Sequence, residues 1–209
     1  IENMTEKKEE AGDDSEAIDL LYIAGIGHSG STLLGMKLGA QKDKYFLGEM
    51  KQVDKMYNRN TCVCGEPPHN CAFWKDINMS NWHELLREAK SQKDDVATLI
   101  DSSKDVCSLI SRLDNPNLSV TAIHLIRSPW THFRKRGLSR LISWLISHTA
   151  IYLLATFRGY SYERITYEDL LKNSSDQDEK NIEEETYHFF TGNTDVARNF
   201  NGIHRPDES

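Results

Sequence analysis

Short apolar runs stand out along an otherwise polar chain. Asp19-Leu-Leu-Tyr-Ile-Ala24 is too short for a helix and shows no polar alternation, so it predicts a strand buried on both faces. Val96 to Asp101, Ser119 to Ile126 and Tyr162 to Tyr167 read the same way. Helical spacing lies between them. Leu33, Leu34 and Leu38 share one side of Ser31 to Gly39, a polar loop and a helix from about Lys104 follow the second strand, and Glu168 and Asp169 supply acidic residues to the first turn of a late helix. The apolar stretch Leu141 to Phe157 is broken by Ser143, Ser147, His148 and Thr149, which predicts a buried helix of the domain and no membrane span. Strands alternating with helices predict an α/β fold: a doubly wound, mostly parallel sheet flanked by helices. Such sheets bind ligands at the carboxyl ends of their strands. The Gly-rich turn after Ala24, the segment Ser102 to Lys104, and Arg127 all follow strand ends, so three polar sites converge on one sheet edge.

The chain has 209 residues, 38% of them hydrophobic and 27% charged, which suits one soluble domain rather than two. Residues 1–18 are acidic and polar and read as a solvated tail, not a signal peptide. Residues 19–209 form the expected single domain, and the polar segment Lys172 to Lys180 reads as a surface loop. A cytoplasmic location is expected, with the Golgi lumen as the alternative if an N-terminal anchor has been removed. The formal net charge of −7 argues against a general nucleic-acid binder. It leaves room for a small anionic ligand, which needs only a local positive field.

Gly25-Ile-Gly-His-Ser-Gly-Ser-Thr32 carries most of the chemistry. Glycines let backbone N–H groups approach an anion, and a helix N-terminus adds a favourable dipole. The spacing fits G-x-x-x-x-G, but Ser31 stands where a nucleotide triphosphatase places Lys, and no metal-binding Asp clearly follows a strand. A P-loop kinase is therefore the weaker reading.

Gly27-His-Ser-Gly-Ser-Thr-Leu-Leu34 resembles the 5′-phosphosulfate loop of sulfotransferases that use 3′-phosphoadenosine-5′-phosphosulfate (PAPS). The rest of the chain follows the motif order of that family. Leu47-Gly-Glu49 resembles the Gly-Glu whose carboxylate deprotonates the acceptor, although a first-turn cap explains Glu49 equally well. Asp101-Ser-Ser-Lys104 resembles a strand-end motif facing the cofactor cleft. Its alternative is an Asx-type turn. Ile123-His-Leu-Ile-Arg127-Ser-Pro129 resembles the 3′-phosphate motif, where an Arg fork holds two oxygens. The chain departs from the family twice. His28 replaces the usual Lys or Arg, and Lys135, within Arg134-Lys-Arg136, replaces a Ser. Tyr167-Glu-Asp-Leu170 matches a late, structural motif. Thr191-Gly-Asn193 and Arg198 loosely match a closing segment.

The resemblance implies a sulfotransferase that moves a sulfonyl group from PAPS to a hydroxyl or amine acceptor by in-line displacement. His28, Glu49 and Lys104 would be catalytic. Gly27, His28, Ser29, Gly30, Ser31, Thr32, Arg127 and Lys135 would bind the co-substrate, with no metal. The acceptor class is open. The alternative from another class is a non-catalytic PAPS or nucleotide binder of the same fold.

Cys62-Val-Cys64-Gly-Glu-Pro-Pro-His69-Asn-Cys71-Ala-Phe-Trp74 resembles an insertion in one branch of the family, placed at 59–76. Its spacing does not match paired zinc knuckles, so a structural loop is expected over zinc. A disulfide such as Cys62–Cys71 is the remaining option in an oxidising compartment. Cys107, on the helix after Lys104, reads as a core residue.

Overall fold

The computed structural model describes residues 16–52, 62–64, 66–130 and 138–172. Five parallel strands form one sheet: β1 (Ile18–Ala24), β2 (Lys44–Gly48), β3 (Thr98–Lys104), β4 (Leu118–Ile126) and β5 (Ser161–Thr166), in the order β2-β3-β1-β4-β5. The helices are α1 (Ser31–Gly39), α2 (Trp82–Gln92), α3 (Val106–Leu113), α4 (Leu138–Arg158) and α5 (Tyr167–Lys172), and a 3-10 turn spans Met50–Gln52. The expected doubly wound α/β architecture is present. From β1 the chain steps outward to β2, returns to β3 beside β1, and then crosses to β4 on the other side. Such a reversal opens a crevice beyond the strand ends.

The central strands are apolar on both faces because helices cover both. Ile23, Ile100, Ile123 and Leu125 pack with Leu33, Leu34 and Met36 of α1 and Leu170 of α5. Tyr22, Ala24 and Ala122 pack with Leu109 of α3 and Ile151 of α4. A third cluster joins Leu20, Leu47 and Leu99 to Cys62, Cys71, Phe73 and Trp74, and to Trp82 and Leu85 of α2. Asn81 caps α2 by accepting from the His83 and Glu84 N–H groups.

Four expectations change. The second predicted strand runs through Ser102 and Ser103 to Lys104, and α3 begins only at Val106, so no polar loop follows Asp101. The polar residues stay in the strand because they serve a neighbour. The Asp101 carboxylate accepts from Met50 N (3.2 Å) and the Ser103 hydroxyl from Lys51 N (2.9 Å). Cys107 is exposed, because the phase of α3 turns Leu109 inward instead. Strand β2 was not foreseen. The predicted buried helix is real, but only His148 and Ile151 of α4 are buried, whereas Leu145, Ile146 and Phe157 are exposed. By length and composition α4 could cross a membrane. Here it is the crossover from β4 to β5 and lies against the sheet, where His148 Nδ1 sits 2.5 Å from His124 Nε2.

Lys135, the rest of the Arg134–Arg136 run, Thr191-Gly-Asn193 and Arg198 lie outside the described residues. So do most of the 1–18 tail and the segment after Lys172. Strand β1 begins at Ile18.

Candidate active site

Each strand delivers one candidate group at its carboxyl end. The Gly loop follows β1, Glu49 follows β2, Lys104 ends β3, Arg127 follows β4 and Tyr167 follows β5. A cleft of about 350 Å³ opens there, walled by Gly27, His28, Glu49, Lys51, Lys104 and Arg140 among others. Gly27, His28, Glu49 and Lys104 thus meet in one cavity. Arg127 does not line it, although its guanidinium reaches the loop at His28 O.

The loop is shaped by backbone conformation. Gly30 sits at φ 93°, and a Cβ there would lie 2.5 Å from the Tyr167 ring, so only glycine fits. His28 adopts φ 66°, a left-handed conformation that His tolerates better than most side chains. Gly25 N donates to Lys104 O (2.9 Å), which ties the loop to the end of β3. Lys104 is itself left-handed at φ 73°. These are the non-glycine residues with positive φ among those described, and both line the cleft. Left-handed L-residues cost on the order of 1–3 kcal/mol each and persist where their surroundings fix them.

Two acid–base pairs set the charge. Lys104 Nζ bonds the Glu49 carboxylate, and both side chains are largely shielded, at 13% and 6% exposure. Lys51 Nζ lies 2.7 Å from Asp105 Oδ2. Burial pushes the Asp105 carboxyl up, but the Lys51 contact and the Ser108 N–H outweigh it and hold the group below its ordinary range. Arg140 has no ion-pair partner among the described residues and adds positive charge to the wall.

Glu49 stands immediately before the 3-10 turn. The first N–H groups of the 3-10 turn are taken by Asp101 and Ser103, which leaves the Glu49 carboxylate turned to Lys104 in the cleft. Asp101 is fully buried. Burial pushes its carboxyl up against the pull of Arg112, whose Nε donates at 3.1 Å. It is a scaffold for β2 and β3, not a cleft residue.

Arg127 is held from three sides. Its guanidinium donates to His28 O (3.0 Å) and lies 4.3 Å from the Tyr167 ring centroid, while its carbonyl accepts from Trp144 Nε1 (3.0 Å). Tyr167 therefore does more than end a strand: it packs on Gly30 and supports Arg127. Sequence reasoning treated it as structural and missed Arg140, Ser143 and Ser147, which α4 brings to the cleft wall at helical spacing.

The loop and the start of α1 share the features of a backbone anion site. No side chain caps the N-terminus of α1. The Ser29 hydroxyl is fully buried on the loop and has no hydrogen-bond partner among the described residues. Ser31 is buried and Thr32 half-buried at the same helix end. A glycine-rich turn and a helix dipole are what a backbone anion site requires.

Comparison with solved structures places this architecture. The sulfotransferase domain from the Synechococcus PCC 7002 olefin synthase aligns at 22% identity over 76% of this chain and 69% of that one, with a TM-score of 0.51. The sulfotransferase domain from the curacin biosynthetic pathway aligns at 18% identity over 76% and 70%, with a TM-score of 0.49. No protein-family model matches the chain, and neither does any curated protein. The protein has the sulfotransferase fold.

Proposed function

We propose that the protein is a PAPS-dependent sulfotransferase. The observation that carries this reading is the meeting of the Gly25–Thr32 loop with the Glu49–Lys104 pair in one cleft at the strand ends. The loop N–H groups and the Ser29, Ser31 and Thr32 hydroxyls would hold the 5′-phosphosulfate. Arg127, stiffened by Tyr167, would take the 3′-phosphate. Glu49 would accept the proton of the acceptor hydroxyl as its oxygen forms the new bond to sulfur. The bond from sulfur to the bridging oxygen breaks in line, and adenosine 3′,5′-bisphosphate leaves. Lys104 and His28 would offset the charge that develops on that oxygen. Lys104 already contacts Glu49, so one cation borders both the proton acceptor and the leaving-group side.

The test is calorimetric titration with adenosine 3′,5′-bisphosphate, with ATP as control and Arg127→Ala beside the wild type. Binding in the micromolar range, weak ATP binding and a tenfold or larger loss in the variant support the reading. Absence of bisphosphate binding refutes it, and tight ATP binding redirects it to a kinase. Binding without sulfonyl transfer to any of a broad acceptor panel leaves a nucleotide binder of the same fold.

A further inference from the structure

The segment from Cys62 to Trp74 brings together what its sequence spacing separates. The sulfurs of Cys62, Cys64 and Cys71 all lie within 4.8 Å of one another, and Cys64 Sγ is 3.6 Å from Cys71 Sγ. A disulfide needs about 2.05 Å, whereas thiolates around a tetrahedral zinc, each about 2.3 Å from the metal, stand roughly 3.8 Å apart. No disulfide joins any of the three. The cluster is held from behind. Cys62 and Cys71 are fully buried with Phe73 and Trp74, and Phe73 stacks on Tyr45 of β2 at 5.0 Å. Tight turns present the sulfurs: Cys62 N donates to Glu66 O (2.7 Å) and Cys71 N to Pro67 O (2.9 Å). The backbone N–H of Cys64 bonds the Cys62 sulfur, and that of Glu66 bonds the Cys64 sulfur. Cys64, by contrast, is exposed, so the cluster opens to solvent on one side.

From this geometry we infer that Cys62, Cys64 and Cys71 form a zinc site with three thiolate ligands and a fourth position facing solvent. Binding releases three protons from the thiols and leaves a Zn(Cys)₃ centre with one negative charge. Water fills the fourth position, or His69 does, an exposed residue of the same segment. The Cys-x-Cys pairing hides this site from a search for Cys-x-x-Cys knuckles, because the third ligand comes from a separate turn. The metal would staple the 62–74 segment to the third core cluster, which also holds Leu47 and Met50 on either side of Glu49. The site is structural and independent of the sulfonyl-transfer reading.

The test uses the untagged full-length chain, purified under reducing conditions. Metal analysis should find one zinc per chain, held until a strong chelator is added. Cobalt exchanged into the site should give thiolate-to-metal charge-transfer absorption and the intense visible bands of tetrahedral Co²⁺. Cys64→Ser removes a ligand at an exposed position, so it should lower zinc affinity at least about tenfold without changing the circular dichroism. Cys107→Ser should keep full occupancy. Zinc-free protein with four reactive thiols overturns the inference. So does a disulfide within the cluster found by non-reducing peptide mapping, or wild-type zinc affinity in Cys64→Ser.

Discussion

The Glu49–Lys104 pair gives the sharpest quantitative test of the site. Both groups are shielded from water, with side-chain exposures of 6% and 13%. Removing one partner of a shielded pair strands the other charge in a poorly solvating site, at a cost of about 3–5 kcal/mol, whereas removing both is nearly neutral. Glu49→Gln preserves the shape of the side chain. Lys104→Met preserves its length and leaves the left-handed backbone as strained as before, so the comparison isolates charge. Each single variant should therefore lose roughly 3 kcal/mol and the double variant little, so the double falls about 6 kcal/mol short of additive losses. The assay is urea unfolding of all four proteins, followed by tryptophan fluorescence at pH 7. Additivity within about 0.5 kcal/mol would show that the two charges do not depend on each other, and the electrostatic account of the cleft would fall.

Other outcomes follow from the same geometry. Glu49→Gln should lower turnover by about 10²–10⁴-fold while the bisphosphate still binds, as read by a kcat and calorimetry comparison. Tyr167→Leu should weaken bisphosphate binding by about 3- to 30-fold, the equivalent of a lost cation–π support under Arg127. Gly30→Ala should cost about 2 kcal/mol or more, because it combines φ 93° with a Cβ 2.5 Å from the Tyr167 ring; Tyr167→Ala in the same chain should recover part of that loss by urea midpoint. Burial, then His148 and Arg164, lower His124 from 6.5 to about 3. The unfolded chain therefore binds a proton at pH values where the folded chain does not. Stability should fall by about 1.4 kcal/mol per pH unit as pH drops from about 6.5 towards 3, and His124→Asn should flatten that part of the profile.

The parts legible in the sequence were those written in local chemistry. Strands β1 and β4 announced themselves because both their faces are covered, which demands unbroken apolar runs. The Gly25–Thr32 loop was legible because its turn needs glycine at a fixed position: Gly30 is held both by its own φ and by the Tyr167 ring. Strand β2 was hidden because its five residues are too few to show a period. The polar end of β3 resembled a loop because Asp101 and Ser103 bond a neighbouring turn and not their own. Apolar composition alone suggested burial of α4, yet composition does not say which side of a helix meets the sheet. Only the phase fixed by His148 and Ile151 does. That same phase carries Arg140, Ser143 and Ser147 to the cleft and Trp144 to the Arg127 carbonyl. Tyr167 is subject to the same limit: its ring matters because β5 ends beside the loop that follows β1, two strands away in the sheet. The backbone groups proposed to hold the ligand could be read from spacing. The side chains that hold those groups in place depend on which elements the sheet order makes neighbours, and spacing carries no record of that order.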